Sequence, residues 1–174
     1  MCISAIWLLV RMICWLKQKR VDPKREASLL LVYICIVVVV RFTFCPFGTV
    51  NGKIQPLLFD YQKIFPVWFN LVPFVYLFDY PEMKDAIINL VGNIAMFIPL
   101  GIVWPAVFKK LNTHGKVICA GVGICLSIEL LQLPFFERAT DIDDLILNST
   151  GYLLGYGIYL VTNRLWRKYN KKET

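Results

Sequence analysis

The sequence predicts an all-α, polytopic helical membrane protein of about five transmembrane helices, or about four if its first segment lies along the membrane surface. Three observations lead there. Apolar residues make up 57% of the chain and charged residues 18%, against ~45–50% and ~25% in soluble domains. The charges fall mainly between long apolar runs, and their sign alternates from one connection to the next.

The first segment, MCISAIWLLVRMICWL, is short for a span, and Arg11 interrupts it. No basic region precedes it and no A-x-A site follows, so it lacks the form of a cleavable signal. The favoured reading is a tilted first helix with Arg11 snorkelling to the inner surface, and an interfacial helix is the alternative. Residues 27–45, 86–108, 117–136 and 145–163 are apolar runs of about 20 residues, enough for a helix to cross the ~30 Å hydrocarbon core. They are continuous and not alternating, which argues against a barrel.

Basic residues occupy 17–25 (Lys17, Lys19, Arg20, Lys24, Arg25), 109–116 (Lys109, Lys110, Lys116) and the tail (Arg164, Arg167, Lys168, Lys171, Lys172). Acids occupy the other two connections: Asp60, Asp79, Glu82 and Asp85 in one, Glu137, Asp141, Asp143 and Asp144 in the other. The positive-inside rule then puts the basic loops and the C-terminus in the cytoplasm. The chain divides into residues 1–26 (first segment and basic loop), a transmembrane domain at 27–163, and a basic tail at 164–174. Within the domain, 46–85 is an extracytoplasmic loop whose stretch IFPVWFNLVPFVYLF suits the membrane interface or a re-entrant hairpin.

The net charge of +7 is explained by this loop pattern and by anionic lipid headgroups. No nucleic-acid-binding motif is present. The six cysteines sit in or beside apolar runs without a C-x-x-C pair, as small hydrophobes pack, and only Cys2 and Cys45 suit a common outer face.

Polar residues within spans are costly and need a partner or a purpose. Asn89 and Asn93 share a helical face, as do Glu129 and Gln132. Asp141, Asp144 and Asn148 recur at helical spacing, with Arg138 just before them, whereas Asp143 is expected to point elsewhere. All belong to the outer half of the predicted bundle, which implies a polar pocket opening outward. The structural alternatives are an Asp141 cap with Asp144 as a first-turn acid, a Thr140–Asp143 capping box, and interhelical hydrogen bonds for the Asn pair. Gly151, Gly155 and Gly157 suit close helix packing.

The sole histidine, His114, lies in a basic loop, away from the acids, which excludes a Ser–His–Asp arrangement with them. No phosphate-binding Gly-rich loop and no H-E-x-x-H motif occurs. No metal site and no cofactor is therefore expected.

Three motifs, NLVPF at 70–74, NLVGNIAMFIPLG at 89–101 and ELLQLPFFERATDIDDLILNSTGYLLG at 129–155, resemble the VanZ-like family of bacterial membrane proteins. The matched positions are Asn70, Pro73 and Phe74, then Asn89, Gly92, Asn93, Phe97, Pro99 and Gly101, then Glu129, Gln132, Arg138, Asp141, Asp144, Asn148 and Gly151. The resemblance implies a helical protein of the bacterial cytoplasmic membrane and an association with teicoplanin, a lipid-tailed glycopeptide. It implies no catalytic mechanism.

Two functional readings remain open at this level. The first is a non-enzymatic envelope protein whose outer pocket binds a lipid-linked cell-wall precursor or a lipoglycopeptide among the membrane lipids. Its Asn and Arg donors would hold phosphate or amide groups. The second is a membrane enzyme on the same lipids, with Glu129 or Asp144 as general base. A small proton-coupled transporter using Glu129 is a variant of this class. The first ranks ahead.

Overall fold

The computed structural model describes residues 2–18, 21–44, 49–50, 53–54, 57–60, 62, 69–74, 82–135 and 140–171. Five helices dominate: α1 (Cys2–Lys17), α2 (Pro23–Phe44), α3 (Met83–Val107), α4 (His114–Gln132) and α5 (Ile142–Asn170). Between them lie two-residue strands β1 (Thr49–Val50), β2 (Lys53–Ile54), β3 (Phe69–Asn70) and β4 (Thr140–Asp141).

Helix starts follow local chemistry. Asp22 accepts a hydrogen bond from the Lys24 amide at 3.0 Å, and Pro23 opens α2, where its missing N–H costs nothing. Thr113 caps α4 by accepting from the Lys116 amide at 3.3 Å. Asp141 caps α5, taking the Asp143 amide at 3.0 Å, so the Asp141 cap is the arrangement adopted and the Thr140–Asp143 box is not. Pro99 and Pro105 lie within α3, as neighbouring helices permit in membranes.

Helices α2, α3 and α4 are each long and apolar enough to cross a membrane. α1 is shorter, at 16 residues, and α5 is longer, at 29, with acids in its first turn and bases in its last. Large apolar side chains stand exposed along the helices, among them Leu31, Ile88, Leu131, Leu154 and Val161. Surface of this kind needs an apolar surrounding, and the chain is a helical membrane protein.

The core joins Cys35 and Val39 of α2, Phe97 and Leu100 of α3, Val117, Cys125 and Ile128 of α4, and Tyr152 and Tyr156 of α5. α5 is its axis. A Cβ on Gly151 would lie 2.1 Å from the Ile94 carbonyl oxygen, and one on Gly155 would lie 2.1 Å from that of Ile98. The α3 and α5 backbones therefore meet through glycine alone. Gly157 departs from the expectation: nothing lies within 4 Å of a Cβ there, because it sits on the outward face of α5. On the other side of α5, the Tyr152 ring fills the space over Gly121, and its hydroxyl donates to the Val117 carbonyl at 3.1 Å.

α1 lies antiparallel to α2 through side chains. The Trp7 ring stacks on Tyr33 and the Tyr33 hydroxyl donates to Ser4. Arg11 is buried, donates through Nε and Nη2 to the two carboxylate oxygens of Glu26 in the first turn of α2, and lies over the Trp15 ring.

Candidate functional site

The end of α2, the start of α3, the end of α4 and the start of α5 come together at one end of the bundle. The polar residues of the spans gather there, and the network is built outward from α5. Toward α3, the Asn93 amide donates to Asp144 at 2.7 Å and to Asn89 at 3.1 Å. Toward α4, the Asn148 amide donates to Glu129 at 3.2 Å, both residues being 2% exposed. From α4 to α2, the Gln132 amide donates to the Thr43 carbonyl at 2.9 Å. A backbone carbonyl in the last turn of α2 is thus satisfied by a side chain of another helix.

Asn89, Asn93, Glu129, Gln132, Asp141, Asp144 and Asn148 therefore share one end of the molecule, and their hydrogen bonds run to different helices. Asp144 reaches α3, while Asn148, one helical turn on, reaches α4, so α5 stands between two polar clusters. Arg138 and Cys45 lie outside the described residues, as does most of the aromatic stretch at 64–78.

The part of that stretch in view is 69–74, and it docks on the start of α5. Strands β3 and β4 pair in parallel, Phe69 with Thr140 and Asn70 with Asp141. The Asn70 amide donates to both Asp141 carboxylate oxygens, at 3.1 and 3.0 Å, and its own oxygen accepts from the Val72 amide at 3.3 Å. The Phe74 amide donates to the Asp143 carboxylate at 2.8 and 3.1 Å. Phe74 has φ of 65°, a left-handed conformation that costs a residue with a Cβ ~1–3 kcal/mol. Two adjacent carboxylates thus clamp a strained turn.

Asp143 is the residue that sequence reasoning missed. It does point away from Asp144, but toward the loop, and it is 4% exposed. Its only signal in the sequence was a third acid in a run already containing a cap and a first-turn acid.

Beneath the clamped loop is a cavity of about 330 Å³, lined by Asn70, Leu71, Leu126, Glu129, Leu130, Asp141, Ile142 and Leu145. Its walls are leucine and isoleucine, and the polar residues border it through their apolar parts. Leu71, Leu126 and Leu130 are exposed at the bundle surface, so the cavity is reached from the flank. The asparagine and glutamine donors are engaged within the protein. Glu129 and Asp141 border the cavity, but their carboxylates are turned to partners within the protein, Asn148 for Glu129 and Asn70 with the Asp143 amide for Asp141. Among these residues, no group of three or more His, Cys, Asp or Glu is placed to hold a metal ion.

The fold and this site define a class: a helical membrane protein with a polar network, closed by a loop, at one end of its bundle. The family model described as VanZ/LLP1 matches residues 30–164, and the chain belongs to that family. The chain is also similar to Protein VanZ of Enterococcus faecium, at 34% identity over 95 residues, which cover 55% of this chain and 54% of the relative. The chain thus spans about half the length of the curated relative it matches. No solved structure matches it.

Proposed function

We propose that this protein is a multi-pass protein of the bacterial cytoplasmic membrane, with its basic loops and C-terminus in the cytoplasm, and that the flank cavity binds an amphiphile in the outer leaflet. The orientation rests on the segregation of charge: Lys109, Lys110 and Lys116 lie at the end opposite Glu129, Asp141, Asp143 and Asp144. The ligand reading is carried by the cavity, whose apolar walls suit a tail and which lies beside the polar end of the bundle. Its volume, about 330 Å³, is near the lower end of the ~300–1,000 Å³ usual for ligand sites.

The hydrogen bonding refines the ligand chemistry. Asn93 and Asn148 donate to carboxylates of the protein, which commits those bonds to the network between the helices. The cavity is apolar and suits the tail of an amphiphile, whose head would lie beyond it at the polar end of the bundle. A lipid-tailed glycopeptide such as teicoplanin, or a lipid-linked cell-wall precursor, has both parts, and the protein would act by sequestering or shielding it without chemistry.

The test is teicoplanin susceptibility of a sensitive host carrying empty vector, wild type, Glu129→Gln, Asn148→Leu or Gly157→Ala, at matched membrane expression. Glu129→Gln keeps the shape and the bond to Asn148 while removing the charge. Protection by wild type and Gly157→Ala, lost in the other two, is the expected result. Equal protection by all variants would reduce the network to packing. No protection by wild type would remove teicoplanin as the ligand.

A further inference from the structure

At the opposite end of the bundle, a cavity of about 450 Å³ lies where α3 ends, α4 begins and α5 runs out. Its polar lining includes Lys109, Asn112, Thr113, His114, Tyr156 and Arg167. No carboxylate lines it, and among the described residues neither Lys109 nor Arg167 forms an ion pair.

We propose that this cavity binds a phosphate group, carried by a lipid headgroup or free in the cytoplasm. Two fixed cations face one concavity without a counter-charge, which leaves a local positive potential for an anion to neutralise. Arg167 supplies the planar fork that matches phosphate oxygens, and Lys109 supplies a point charge. The 19-residue α4 adds the positive end of its dipole. Of its first-turn amides, Lys116 is taken by the Thr113 hydroxyl, which leaves those of His114 and Gly115.

The cavity also has built parts. The His114 Nδ1 lies 2.8 Å from the Tyr156 hydroxyl, which fixes the ring. When Tyr156 donates, Nε2 carries the ring hydrogen and is a further donor. The Lys116 ammonium donates to the Asn112 side-chain oxygen at 2.9 Å, holding the turn before α4. The positive-inside rule accounts for basic residues in loops. It does not account for an acid-free concavity with two cations and a tethered histidine on three different helix ends. The site shares no residue with the flank cavity and stands independently of the function proposed for that cavity.

The test uses the full-length purified protein in neutral detergent, with dioctanoyl phosphatidic acid, inorganic phosphate and dioctanoyl glycerol as probes, read by calorimetry. Lys109→Gln/Arg167→Gln removes two lining charges, and Lys110→Gln/Lys168→Gln removes two neighbouring charges that do not line the cavity. The expected result is saturable binding of a phosphate-bearing probe and none of dioctanoyl glycerol. The lining variant should weaken that binding about tenfold or more, and the neighbouring variant less than about twofold. Binding of phosphatidic acid alone identifies a lipid headgroup, whereas binding of inorganic phosphate as well identifies the free anion. No saturable binding by either phosphate probe, or equal weakening by the two variants, overturns the proposal.

Discussion

Asp143→Ala tests the part of the site that depends most on tertiary structure. In the wild type, the Asp143 carboxylate accepts the Phe74 amide at 2.8 and 3.1 Å and is 4% exposed. A hydrogen bond to a charged group contributes ~1.5–3 kcal/mol. The positive φ of Phe74 works against it by ~1–3 kcal/mol. The two nearly cancel, so while the β3–β4 pairing and the Asn70–Asp141 bonds hold residues 69–70, the strain at Phe74 is offset by the Asp143 carboxylate. Removing it should raise the opening of residues 69–74 by the full value of the bond, about 10- to 150-fold in an equilibrium. The loss at α5 is smaller, ~0.3–1 kcal/mol from one first-turn acid. Hydrogen exchange in detergent measures both at once: the Phe74 amide should exchange at least about tenfold faster while amides of the α3–α5 contact keep their rates. Asp143→Asn should fall between, since it keeps an acceptor and loses the charge. An unchanged Phe74 rate in Asp143→Ala would refute the clamp and leave the β3–β4 pairing and the Asn70–Asp141 bonds to hold the cavity wall.

Two further substitutions test the frame. Gly151→Ala sets a methyl 2.1 Å from the Ile94 oxygen, a backbone atom that cannot swing aside, so α3 and α5 must separate. The expected cost is ~1–3 kcal/mol or more in detergent melting, whereas Gly157→Ala, with nothing within 4 Å, should be neutral or stabilising by up to ~1 kcal/mol. Equal melting of the two variants would refute the glycine contact. Glu26→Ala strips Arg11 of its carboxylate partner, about 1.5–3 kcal/mol of charge-assisted bonding between α1 and α2. Trypsin should then cut faster after Lys17 with cleavage after Arg164 unaltered, and equal rates at Lys17 would show that the stack of Trp7 on Tyr33 holds α1 by itself.

The pattern of what could be read in advance follows from the solvent. A bilayer penalises each polar group that crosses it, so Asn89, Asn93, Glu129, Gln132 and Asn148 stand out against the runs that contain them, and helix direction fixes their shared end. The partners are another matter, because periodicity places residues on a face of their own helix without saying which neighbour that face meets. Asp141, Asp144 and Asn148 read as one stripe, yet Asp141 is a cap with extended backbone, outside the helical wheel. The other two lie on either side of the line between α3 and α4. Gly151 and Gly155 were legible as contacts and Gly157 was wrongly grouped with them, since a residue two further on turns about 200° around the axis. Asp143 was illegible for a stronger reason. Its partner is a backbone amide 69 residues away, and a backbone amide leaves no mark in a sequence. What distinguishes Asp143 from Asp144 is therefore the path of the loop between α2 and α3, and the carboxylate run at the start of α5 serves two purposes at once: Asp144 closes the bundle against α3, while Asp141 and Asp143 hold the loop that roofs the cavity.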